Sequence, residues 1–115
     1  MEQQSVTLEI NNAEASSTWE LNLAEGRLGG MVRIAPKGRR PFVISPLRGV
    51  TEFPPMGSPS PIIVKIDDQF AAPFGVKGNI TINRNFKSGE GSYSVYTGAT
   101  LDLSVPNTPV KITKV

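Results

Sequence analysis

The chain is predicted to be a single all-β domain: an antiparallel β-sandwich (jelly-roll-like or Ig-like) or a small barrel, with about eight short strands and a long Pro-rich loop. Three observations predict it. Apolar residues alternate with polar ones at period two in one segment after another, as in strands with one face buried. Eleven glycines and ten prolines among 115 residues break those segments at short intervals, which leaves little room for helices. A hydrophobic content of 38% supplies one modest core, and no internal repeat or linker divides residues 1–115 into separate domains.

Taken in order, Val6, Leu8 and Ile10 alternate with Thr7 and Glu9 and predict the first strand. Trp19, Leu21 and Leu23 repeat the pattern. Ser17 and Glu20 could instead form a capping box, with Gly26 closing a short helix. The three large side chains would splay around a helix but share one face of a strand, so strand is expected. Leu28, Val32 and Ile34 continue the alternation across Gly29 and Gly30, where a bulge or a tight turn is expected. Seven prolines then fall between Pro36 and Pro61. Proline has no ladder N–H, so residues 42–45 are expected as an edge strand and residues 47–60 as a long excursion, partly in polyproline conformation.

Ile62, Val64 and Ile66 predict the next strand, with Asp67 and Asp68 turning the chain through an Asx-type turn. Ile80 with Ile82, and Tyr93 with Val95, predict a hairpin over residues 79–96 that turns at residues 87–91. Leu101, Leu103 and Val105 predict one further strand. Val110 and Ile112 predict another, with Pro106 to Pro109 between the two.

Composition narrows the chemistry. The chain contains no cysteine and no histidine. Without them there is no disulfide framework, no thiolate or imidazole zinc site, no cysteine nucleophile and no Ser-His-Asp arrangement. Asp67-Asp68 lacks the further oxygen ligands of a calcium loop, and Gly89-Glu90-Gly91 lacks the Lys-Ser/Thr ending and the helix of a phosphate loop. The expectation is a protein that is not an enzyme and carries no cofactor or metal. Met1 leads into strand-like sequence without a basic segment and an apolar core of the signal-peptide kind, so synthesis in the cytoplasm is expected. A secreted chain that had lost its leader would read the same way.

Charge gives the strongest functional signal. Residues 1–25 hold five carboxylates (Glu2, Glu9, Glu14, Glu20, Glu25) and no cation, whereas residues 26–51 hold Arg27, Arg33, Lys37, Arg39, Arg40 and Arg48 and no carboxylate. Such blocks can complement each other within a chain or between copies, and together they leave a net charge of only +2. Phe42 is the one aromatic beside the cations, which gives no stacking platform for nucleic acid. The six cations of the basic block, with Phe53 and Met56 on the Pro-rich arm at 46–61, are therefore the candidate partner-binding residues.

The expected role is structural: a small virion subunit, such as a phage capsid decoration or cement protein, that binds neighbouring subunits, self or lattice, as a homo-oligomer. No membrane partner is expected. A carbohydrate-binding or adhesive sandwich module is the first alternative, with Trp19, Tyr93 and Tyr96 as possible sugar-facing rings and Tyr96 the one expected outside the core. A fimbrial or pilus-type subunit is the second.

Overall fold

The computed structural model describes residues 3–68 and 74–114, and among these the chain is all-β, with no helix. Its strands are β1 (Gln3–Asn11), β2 (Ala15–Ala24), β3 (Arg27–Pro36), β4 (Phe42–Ile44), β5 (Gly49–Glu52), β6 (Ile62–Asp68), β7 (Phe74–Ile82), β8 (Gly89–Thr97) and β9 (Thr100–Lys114). They form one sheet in the order β4-β3-β2-β1-β9-β8-β7-β6-β5, with every neighbouring pair antiparallel. The sheet curls into a half-barrel. One hydrophobic core fills its concave face, because period-two alternation sends Val6, Leu8 and Ile10 of β1 to the same side as Trp19, Leu21 and Leu23 of β2 and Ile62, Val64 and Ile66 of β6.

Residues 17–24 lie in strand β2, as the shared face of Trp19, Leu21 and Leu23 requires, Glu25 makes only an isolated bridge, and Leu8 lies opposite Trp19 in the β1–β2 register. Trp19 is wholly buried, and its ring meets Tyr93 edge to face at 5.2 Å. Its indole N–H donates to Ser17 Oγ at 2.8 Å, and the Ser17 hydroxyl donates to the Ile10 carbonyl at 3.1 Å. A polar handle inside an apolar core is thereby satisfied locally. Burial raises the Tyr93 phenol above its ordinary pKa, with the nearby Ser17 hydroxyl acting in the opposite sense.

Several boundaries differ from those the sequence predicts. No bulge or turn interrupts β3 at Gly29-Gly30, since β2 and β3 stay in register from Ala15↔Pro36 to Ala24↔Arg27. The turn is made by Gly26, at φ +79°. Residues 47–60 are not one irregular excursion: they contain β5, with Leu47 and Thr51 buried at 2% and 0% exposure. Pro46 and Pro54 flank this strand and none falls within it, so the ladder to β6 is intact. Asp67 and Asp68 are the last residues of β6, opposite Lys77 and Val76, and do not turn the chain.

The β7–β8 turn occupies residues 83–88, closed by hydrogen bonds from Asn83 N–H to Ser88 O and from Phe86 N–H to Asn83 O. Gly89 to Gly91 belong to β8. Gly91 serves close packing, because a Cβ there would lie 2.9 Å from Ile80 Cγ1. Residues 100–114 form one long strand and not two. Its extra residues are absorbed by register shifts opposite Gly91–Tyr93 and Val95–Tyr96. Pro106 falls inside the first of these irregularities, where no regular ladder N–H is required of it.

The curl brings the two edge strands toward each other. From Phe42 to Thr51 the chain runs back along β3: β4 pairs with β3, then Leu47 N–H donates to Gly30 O at 2.8 Å and Gly26 N–H donates to Thr51 O at 2.9 Å. Glu25 adds a bridge to Thr51, and its carboxylate accepts the Phe53 N–H at 3.0 Å. This seam fixes the loops at both ends of β3.

Candidate functional site

β3 carries the basic block along its length and so disperses it. Arg27 opens the strand, Arg33 faces outward in its middle, and Lys37, Arg39 and Arg40 lie beyond its end. Ten residues of extended chain separate Arg27 from Lys37 by about 33 Å. Arg48 lies in the link between β4 and β5, where its carbonyl accepts the Asp67 N–H at 3.0 Å. Of the six cations, the fold gathers Lys37, Arg39 and Arg40 into one loop.

That loop is built and held in place. Arg39 N–H donates to Pro36 O at 3.2 Å, Gly38 takes φ +77°, and Lys37 N–H donates to Glu14 O at 3.0 Å in the β1–β2 turn. The Arg39 guanidinium reaches Asp102 Oδ2 at 2.5 Å and the Asp102 carbonyl at 3.5 Å. Asp102 is the extra β9 residue between the pairs Val95↔Leu103 and Tyr96↔Leu101, so the bulge sets the carboxylate that meets the loop. Phe42, at the start of β4 just after the loop, stacks its ring on that of Phe74 at 4.3 Å. Arg39 is thus largely a fastening for the loop, while Lys37 and Arg40 present exposed charge.

Among the described residues the acidic and basic blocks form no ion pair with each other: the ion pairs there are Arg39–Asp102, Lys65–Glu52 at 3.7 Å and Lys111–Glu9 at 4.0 Å. The register explains it. Glu20 lies opposite Met31, and Arg33 lies between Thr18 and Val43.

The second candidate stands at the other end of β3. Phe53 is half-buried against the core, and it anchors a loop over residues 53–61. At the tip Met56 is 97% exposed. Arg84, in the β7–β8 turn, donates from Nη1 to Pro55 O at 3.1 Å and to Ser58 O at 2.7 Å, and Ser58 N–H donates to Pro55 O at 3.0 Å across the Met56-Gly57 turn. One guanidinium therefore clamps both sides of the tip. Sequence reasoning does not find Arg84, because its acceptors are backbone carbonyls 26 and 29 positions away.

Replacing Arg84 by Ala should free the loop with little loss of global stability, since the clamp is exposed. Hydrogen exchange at Ser58 should speed up at least about tenfold while core amides are unchanged. Unchanged exchange at Ser58 would show that the prolines alone hold the tip.

No protein-family model matches this chain, and no curated protein matches it in sequence.

Proposed function

We propose that the protein is a non-enzymatic assembly subunit, most concretely a small virion component of the capsid decoration or cement type. It binds neighbouring copies or a capsid lattice through the loops at the two ends of β3. The observation that carries this reading is the clamped presentation of Met56. A nearly fully exposed apolar side chain gains nothing for the isolated domain, whereas a tip stiffened by Pro54, Pro55, Pro59 and the Arg84 guanidinium loses little entropy on docking. At the other end, Lys37 and Arg40 offer charge to a carboxylate-bearing neighbour, and the acidic block of a second copy supplies one. Contacts that differ at the two ends are head-to-tail, the kind that extends into rings or lattices. We read the curl as a barrel nearly closed along the seam from Phe42 to Thr51, which gives such a subunit rigid ends. Synthesis in the cytoplasm followed by incorporation into a virion fits this role.

Sedimentation at low ionic strength tests it. The wild-type chain should self-associate. Met56→Asp, and separately Lys37→Glu with Arg40→Glu, which spares the Arg39–Asp102 fastening, should each weaken association by about tenfold or more while leaving the far-ultraviolet spectrum unchanged. The charge-reversal effect should disappear near 1 M salt, where screening acts over about 3 Å. A wild-type chain still monomeric at about 1 mM would overturn binding between copies, and association indifferent to both sets of changes would overturn the two loops as the contacts.

A further inference from the structure

The outer face of β7, β8 and β9 carries a groove of about 390 Å³ far from both loop candidates in sequence, at the lower end of the roughly 300–1,000 Å³ typical of small-molecule sites. Its position follows from the two register shifts between β8 and β9, which bracket the Ser94↔Ser104 pair. Bulges of this kind re-aim side chains and loosen an otherwise flat surface. Ser94 and Ser104 share one hydrogen bond at 3.1 Å. Two hydroxyls joined by one bond keep a second proton and several lone pairs for a ligand.

Ser92 and the Asn79 amide add further donors and acceptors, and the apolar part of the lining includes Tyr96 and Pro106 beside the buried Tyr93 and Val105. Lys77 is the one charged residue in the lining, beside an otherwise uncharged set of hydroxyls, amide and rings, and Asp67 lies opposite it in the β6–β7 register. Hydroxyls and an amide beside an aromatic ring match a ligand that is itself ringed by hydroxyls and has apolar C–H faces.

We propose that this groove is a binding subsite for a neutral saccharide, with the sugar ring packed on Tyr96 and its hydroxyls bonded to Asn79, Ser92, Ser94 and Ser104. Such a site would let the subunit hold a glycan surface while its end loops hold neighbouring proteins. It is independent of the assembly reading, since none of these residues lies in either loop.

The test is titration of the ¹⁵N-labelled full chain with maltohexaose, cellohexaose and chitohexaose, observed by amide chemical shifts. At least one should move Ser92, Ser94, Tyr96 and Ser104 together, with affinity near the millimolar range. Tyr96→Ala should weaken that binding about tenfold or more, and Tyr96→Phe should retain most of it. Should Tyr96→Ala not fold, Ser94→Leu fills the groove from its solvent side and should abolish the shifts. Silence from all three sugars at about 10 mM, shifts confined to other surfaces, or binding indifferent to both variants would each overturn the proposal.

Discussion

Replacing Trp19 by Ala should destabilise the fold by roughly 3–5 kcal/mol, a large share of the 5–15 kcal/mol typical of a whole domain. The indole has no solvent exposure, lies between the β1 and β3 neighbours Leu8 and Val32, and meets Tyr93 edge to face. Its removal leaves a cavity that a sheet ladder on both sides cannot collapse to fill. It also deprives the buried Ser17 hydroxyl of the N–H that it accepts. Trp19→Phe keeps much of the ring and loses the hydrogen bond, so its cost should be smaller, about 1–2 kcal/mol. Urea unfolding followed by circular dichroism measures both. A loss below about 1 kcal/mol for Trp19→Ala would remove Trp19 from the core.

How far the sequence could be read follows from which signals are local. The faces of β1, β2, β6 and β7 were legible because period two is written in Val6-Leu8-Ile10, Trp19-Leu21-Leu23, Ile62-Val64-Ile66 and Ile80-Ile82. β5 was not legible, because Leu47, Gly49 and Thr51 are an undistinguished inward set set between prolines. The sequence divides β9 in two because Pro106 and Pro109 look like separators. In the sheet, Pro106 falls in a register shift and the β1-paired stretch begins only at Val110, so neither ends the strand.

The candidate site was less legible still. Neighbours in sequence are not neighbours in space on an extended strand, and β3 draws the basic block out over about 33 Å. Arg39, Arg40 and Met56 were identifiable as loop residues from the prolines and glycines around them. Asp102 and Arg84, which fasten those loops, act across 63 and up to 29 positions of sequence. Nothing local to either residue names its partner.

Gly30 shows what local reading missed and supplies the second large expected effect. The pair Gly29-Gly30 reads as a bulge or a tight turn, yet Gly30 sits inside a continuous ladder at φ +118°, a conformation that side chains strongly disfavour. A Cβ there would lie 1.9 Å from the Glu20 carbonyl oxygen, and the Gly30 carbonyl accepts the Leu47 N–H that holds the chain after β4 against β3. Gly30→Ala must therefore push β2 from β3 or rotate the peptide and lose the Leu47 bond. The expected cost is roughly 3 kcal/mol or more. Gly38→Ala is the control, since Gly38 also has positive φ but nothing stands within 4 Å of its added Cβ. It should cost about 1 kcal/mol, the conformational penalty without the clash. Hydrogen exchange separates the two causes: Leu47 should exchange markedly faster in Gly30→Ala and normally in Gly38→Ala. Equal destabilisation by the two variants, with Leu47 protected in both, would mean that the backbone approach at Gly30 does not hold the edge strand to β3.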